Sequence, residues 1–349
     1  MQPATPKTEF QASRLLVSWL AEQGASLAFT TYQAGKLFFV GLNARGELAV
    51  FNRSLARVMG IAVHEQQLWV ASLWQLWRFE NALQPGEWQG EYDRWYVPQL
   101  AYTTGDIDVH DVAVDGHGEP VFVSTLFSCL ARPDPQFSLR PFWKPPFVSR
   151  YAAEDRCHLN GLAMRDGQAA FVTCVGRSDA NEGWREHRRS GGLLIDVDSN
   201  EIVGQGLSMP HSPRWYRERL WLLNAGTGEF GYMDLARGRF EAIAFCPGFL
   251  RGLSFIGDYA VVGLSKQREN RSFSDLALDQ HLAKRGVQAR CALQIIDLRR
   301  GDVVHELRIE GAISELFDTA VLPGVRNPGA VGFLSDDIRR TVVLPPAAA

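Results

Sequence analysis

One phrase returns three times in this chain and restricts its fold more than any other feature. It reads DIDVHDVAVD at residues 106–115, CHLNGLAM at 157–164 and PHSPRWY at 210–216, each time with one histidine just before a short apolar strand. Strands announced this way cannot bury their apolar face alone, so repetition of the phrase implies repetition of a sheet unit.

The units follow one another along the chain at 58–79, 110–125, 158–196, 211–234 and 249–297, and 314–321 opens a sixth with 330–333 after it. Each combines short apolar runs with turns rich in glycine, asparagine and aspartate. A period of about 40 to 50 residues carrying several strands is the mark of a β-propeller, with longer steps taken up by loops. The sixth unit is short of strands, whereas 27–51 supplies strands with no opening strand of their own. Strands from both termini therefore close the ring, which removes exposed sheet edges. The expected fold is all-β, a six-bladed propeller, with seven blades as the other way of counting the terminal strands.

Residues 1–25 are expected to form a helical cap. Leu15, Leu16, Trp19 and Leu20 fall on one face of a helix within 9–23, and Gly24 stops it. Residues 26–349 then form a single propeller domain. The polar insertion 266–290, with QREN at 267–270 and a short helix around 275–284, is long enough to lie over one end of the ring.

Composition excludes several classes of partner. A formal charge of -3 and a pI near 6.3 do not provide the concentrated positive field that nucleic acid or an anionic membrane surface needs. The five cysteines are odd in number and contain no CxxC pair, so they are expected to be reduced, buried thiols. Residues 1–7 lack the pattern of a secretory signal and no run is apolar enough to span a bilayer, which makes a cytoplasmic protein the expectation. GxGxxG, Walker A and GxSxG patterns are absent, so neither a nucleotide nor a serine nucleophile is indicated. Cys157 adjoins His158, but neighbours on a strand face opposite ways, so it reads as a packed thiol.

The chemistry then rests on where the repeated histidines go. In a propeller the innermost strand of each blade lines the axis, so His110, His158 and His211 are expected to converge at one end of the channel. Three imidazoles with open positions left over can hold a divalent transition metal, zinc or iron first and copper third. A metal-free polar channel is the alternative. Asp108, Asp111 and Asn160 stand close enough in sequence to orient the rings. Arg251 and Glu315 open the next two units: Glu315 is a candidate fourth ligand or general base and Arg251 a clamp for a substrate carboxylate, with a plain Arg–Glu pair the equal alternative. With Asp111 they make up the candidate catalytic set. Asn160, Arg214 and Trp215 are the candidate substrate-binding residues, although core packing is the better account of Trp215. Matching Asn160-Gly161-Leu162 to Arg251-Gly252-Leu253 makes Asn160 the counterpart of Arg251 and leaves His158 two residues earlier on the same strand face. The other five histidines, at 64, 117, 187, 281 and 305, read as solvated surface groups.

The segments 108–125, 158–173, 209–231 and 247–270 together resemble a family of uncharacterised, conserved hypothetical bacterial proteins, some of them fused to tetratricopeptide repeats. The resemblance covers nearly the whole chain but implies no activity. At the level of architecture, three axial histidines in a six-bladed propeller are similar to the zinc site of peptidyl-hydroxyglycine lyases; fold alone does not carry function. The leading expectation is a metal-dependent enzyme acting on a small or peptidyl substrate, as a lyase, hydrolase or oxygenase. A non-catalytic module for a peptide or saccharide is the alternative, and a metal-free lyase or hydrolase using Glu315 and a histidine the third.

Overall fold

The computed structural model describes residues 7–266 and 275–344. Its strands form six antiparallel blades around an axis. From the axis outward, the first blade runs Thr319–Pro323, Ala25–Thr31, Lys36–Leu42 and Leu48–Ser54, so the C-terminal strand supplies the inner edge that the N-terminal strands lack. The second runs Ile61–His64, Gln67–Ala71, Gln75–Asn81 and Arg94–Thr103, and the third Val109–Val114, Pro120–Ser124, Cys129–Arg132 and Arg140–Trp143. The fourth runs Leu159–Arg165, Gln168–Cys174, Gly192–Asp196 and Ile202–Leu207. The fifth runs Pro210–Tyr216, Arg219–Asn224, Glu229–Asp234 and Arg239–Phe245, and the sixth Phe249–Ile256, Tyr259–Ser265, Ala292–Asp297 and Val303–Glu310. Apolar side chains fill the spaces between adjacent blades, as where Met59, Trp69 and Leu76 of the second meet Val112 and Phe122 of the third.

Two terminal segments depart from the sequence expectation. Residues 330–333 do not extend the sixth unit; instead Pro328–Ala330 pairs in parallel with Arg94, Trp95 and Tyr96 on the outer edge of the second blade. The backbone N–H groups of Arg326 and Asn327 donate to the Asp93 carboxylate at 2.8 and 2.7 Å, which carries the chain to that edge. The helix begins later than expected. Glu9–Ala12 is a strand on the outer edge of the sixth blade, so it belongs to the propeller and not to a cap. Only Leu16–Gln23 is helical, burying Leu16, Trp19 and Leu20 and ending at Gly24 with φ 56°. Leu15 flanks the helix and is 57% exposed. Both additions cover edges that would otherwise present unpaired backbone groups.

The insertion carries a helix, Ala277–Arg285, close to the expected place, whereas the QREN stretch lies outside the described residues. All five cysteines are free and buried. Among the described residues no helix is long and apolar enough to cross a membrane.

Four inner strands share one irregularity. Their pairing slips at His110, at Asn160, between His211 and Arg214, and between Leu250 and Leu253. A bulge of this kind adds a residue and re-aims a side chain. Here it lies at the point where each strand carries a polar group, His110, Asn160, His211 or Arg251.

Below these bulges a buried ion network ties the ring together. The Arg214 guanidinium of the fifth blade donates to both Asp111 oxygens of the third, at 2.7 and 3.1 Å, and stands 3.6 Å from Asp318 at the start of the first blade's inner strand. It also donates to the carbonyls of Leu162 in the fourth blade and Leu253 in the sixth. The Asp318 carboxylate accepts from the Ile61 N–H of the second blade at 3.0 Å, and Asp111 from the Leu162 N–H at 2.9 Å. Six blades thus meet through three side chains. Burial opposes the charge on Arg214, but Asp111 and Asp318 outweigh it and raise its pKa. Burial also pushes the Asp318 carboxyl up to about 7, against the pull of Arg214.

Candidate active site

The network plugs the channel and separates two concavities. On one side is an apolar funnel of about 350 Å³ whose wall includes Val112, Leu162, Trp215 and Phe255. On the other is a polar pocket of about 440 Å³ that holds His110, His158 and Arg251.

The pocket is built in two layers. Asp108, His158 and Met209 each lie two residues before a bulge-region group, His110, Asn160 and His211, and each has a left-handed backbone, with φ 55°, 51° and 48°. Such a conformation costs roughly 1 kcal/mol or more for a residue other than glycine or asparagine-like types, so His158 and Met209 are held there by their surroundings. The upper three line the pocket. The lower layer contains His110, Asn160 and His211, with Arg251 in the sixth blade at the same place. Two residues of strand rise about 6.6 Å. His158 therefore enters one layer above His110 and His211, because its own counterpart in the lower layer is Asn160. Of the five expected axial groups, His110, His158 and Arg251 line the pocket, whereas His211 is turned to Asn160 and Glu315 stands behind Arg251.

Hydrogen bonds fix which nitrogen each imidazole presents. Thr125 Oγ1 donates to the Leu159 carbonyl at 2.5 Å, so at 2.8 Å from His110 Nδ1 it must accept. His110 therefore carries its proton on Nδ1. His211 Nδ1 donates to the Met209 carbonyl at 2.9 Å. Thr173 donates to Asn160 Oδ1 at 2.8 Å, which turns the Asn160 amide nitrogen toward His211 Nε2 at 3.5 Å. His158 Nδ1 stands 2.9 Å from Asp155 Oδ2, which also accepts the Trp184 indole N–H at 2.8 Å. Nε2 is thus the open nitrogen of His110 and His158, whose ring centroids are 4.9 Å apart, while that of His211 is turned to Asn160.

Burial, reinforced by the charges of its neighbours, holds the His110 imidazole well below its usual pKa, and burial followed by the Arg251 charge does the same for His211. Both rings are neutral at pH 7. Burial raises the Asp108 carboxyl, with His158 and Arg57 pulling it back.

The remaining expected site residues are distributed by the same geometry. Arg251 lines the pocket over the Phe317 ring and meets Glu315 at 3.4 Å, so these two form an ion pair behind the wall. Asp111 and Arg214 are in the plug, and Asn160 is buried between Thr173 and His211. Trp215 is in the opposite funnel, within cation–π distance of Arg165. Asp155, Trp184, Tyr32 and Phe317 line the pocket without having been singled out from sequence. Asp155 had one legible signal, an acid three residues before the histidine; the aromatics come from links between blades and had none. Among the described residues, no three histidine, cysteine, aspartate or glutamate side chains stand where they could hold one metal ion.

Six blades around an axis define a six-bladed β-propeller, and the comparisons bear on its fold and family. Residues 14–331 match the Domain of unknown function (DUF4915), so the chain belongs to that family. No curated protein matches it. It is similar to a chain of the crystal structure of a nidogen/laminin complex, at 11% identity and TM-score 0.55, covering 86% of this chain and 99% of that one. It is also similar to selenomethionine-substituted virginiamycin B lyase from Staphylococcus aureus, at 11% identity and TM-score 0.39, over 87% of this chain and 99% of that one. A catalytically inactive form of the same lyase with quinupristin gives 13% identity and TM-score 0.38, over 74% and 96%. At 11% identity the likeness to the nidogen/laminin chain speaks for the propeller fold alone, and nothing is argued from the two lyase structures.

Proposed function

We propose that the axial pocket is the active site of an enzyme acting on a small or peptidyl substrate by proton transfer, as a lyase or hydrolase. The observation that carries this reading is the His158–Asp155 pair at 2.9 Å, with His158 on the pocket wall. A carboxylate on Nδ1 fixes the tautomer and orientation of an imidazole and leaves Nε2 to take or give a proton. His110, neutral and beside it, accepts a hydrogen bond from substrate, and Arg251 lends positive charge to the opposite wall. Glu315, spent on Arg251, serves as its positioning partner and not as the base.

The test is to incubate the protein with a small-molecule extract and follow the components by mass spectrometry. A compound consumed by the wild type and left intact by His158→Ala is the expected result. Binding of a component with no consumption of any would instead make the pocket a non-catalytic module for a peptide or saccharide.

A second reading is a divalent transition-metal centre, zinc, iron or copper, on His110, His158 and His211. One observation favours it: each ring has Nδ1 engaged by an oxygen, the usual second partner of a metal-bound histidine. Against it stand the two-layer placement and the contact of His211 with Asn160. Protein purified without a histidine tag would carry near-stoichiometric metal that is lost in the triple alanine variant; substoichiometric metal unchanged by that variant ends this reading.

A further inference from the structure

We infer that Trp184 is the positioning residue of the pocket: it holds the Asp155 carboxylate and the His158 ring in the one arrangement that leaves His158 Nε2 open. The inference rests on the reading of His158 as the proton-transferring group and adds the residue that sets its orientation.

The first support is a shared atom. Asp155 Oδ2 accepts the Trp184 indole N–H at 2.8 Å and stands 2.9 Å from His158 Nδ1. The terminal torsion of an aspartate is broad, so a carboxylate held by one donor can still swing, and a second donor on the same oxygen removes that freedom. The second is packing against the imidazole. The Trp184 and His158 rings lie 4.2 Å apart between centroids with their planes tilted by 31°, while His110 meets His158 edge-on at 4.9 Å. A half-turn of the His158 ring would carry Nδ1 away from Asp155, and it must pass edge-on through the space that the indole fills. The third is how the indole is itself held. Trp184 is 3% exposed and sits in the short helical turn Gly183–His187, between the second and third strands of the fourth blade. The Glu182 N–H donates to the Glu154 carbonyl at 2.9 Å, and Arg156 donates to both Glu154 and Asp179. The turn bearing Trp184 is thus fastened to the loop bearing Asp155 on either side of that carboxylate. A tryptophan that served packing alone would need some acceptor for its N–H, but not the oxygen that orients the histidine.

Exchange of ring protons with solvent, followed by NMR on isotope-labelled protein without any ligand, tests this. Trp184→Phe keeps an aromatic ring and loses the N–H. In it the His158 Nδ1 proton should exchange about five- to tenfold faster than in wild type, the effect of roughly one hydrogen bond. His110 is the internal control: its Nδ1 proton is set by Thr125, and its rate should not change. Equal acceleration at both rings would reduce Trp184 to packing, and an unchanged rate at His158 would leave it no part in the pair; either result overturns the inference. Should Trp184→Phe fail to fold, Asp155→Ala decides through the reciprocal effect. The Trp184 indole proton should then exchange about five- to tenfold faster, and an unchanged indole rate overturns the inference. None of these rates depends on turnover, so the extract assay with His158→Ala decides independently whether the pocket is an active site.

Discussion

Replacing Arg214 by methionine should be among the most damaging single changes available outside the inter-blade cores. Methionine keeps most of the stem volume, so little of the effect comes from a cavity. What it removes is the only guanidinium within reach of Asp111 and Asp318 among the described residues, and these side chains are in residues just 2% and 3% exposed. Breaking a buried pair by deleting one partner typically costs about 3–5 kcal/mol, because a charge is left unmatched in a poorly solvated place. Unfolding entropy of roughly 2.1 cal/mol/K per residue then converts a loss of about 4 kcal/mol into a fall in Tm of about 5–6 °C for a chain of this length. Arg214→Lys keeps the charge but not the planar fork that reaches both Asp111 oxygens, so about half the loss should remain. Urea unfolding followed by tryptophan fluorescence measures both variants. Combined with Asp111→Asn, Arg214→Met should be less than additive by about 1–3 kcal/mol, since the two residues act on one interaction. A loss below about 1 kcal/mol, or full additivity, would refute the view that this network fastens the blades.

Other perturbations follow from the same geometry. The Asp318 carboxyl is raised in the fold to about 7, so the folded state binds the extra proton: its favourable contribution is complete below the unfolded carboxylate pKa near 4 and is lost as pH rises through 7. The stability of wild type minus that of Asp318→Asn should therefore fall between pH 4 and 7 by up to about 1.4 kcal/mol per pH unit, and a flat difference in urea titrations would contradict this. Gly252 has φ 81°, and a Cβ there would come within 2.6 Å of the Thr319 backbone nitrogen. Gly252→Ala should accordingly cost more than about 2 kcal/mol in the same assay, by wedging the sixth blade from the first. Deleting residues 319–349 removes the inner strand of the first blade, and the product should be recovered as aggregate or unfolded chain by size-exclusion chromatography and circular dichroism.

The blade count was legible because a propeller repeats its alternation of short apolar strands and polar turns, and ring closure followed from a sixth unit short of strands and the unopened strands at 27–51. The axial position of the histidines was legible for the same reason. The layer in which each one sits depends on bulges, which displace a side chain by one residue and are set by the packing of neighbouring blades. The parallel match of Asn160 to Arg251 held the clue, since it left His158 two residues out of step. The role of Arg214 could not be read, because its partners Asp111 and Asp318 are brought to it only by the closed ring. Pro328–Ala330 likewise has too few residues and too much proline and glycine to announce a strand, and forms one only because Asp93 anchors the chain beside an open edge.

The central claim is that the axial pocket is walled by histidines with anchored Nδ1 atoms and chemically open Nε2 atoms. Long-range proton–nitrogen NMR correlation of the imidazoles, recorded from pH 8 down to pH 5, tests it directly. His110 and His211 are predicted to be neutral and protonated on Nδ1 at pH 7 and to show no titration near the ordinary histidine value, and His158 to carry a proton on Nδ1. An Nε2–H tautomer at His110 or His158, or titration of His110 or His211 near the ordinary histidine value of about 6.5, would contradict the account.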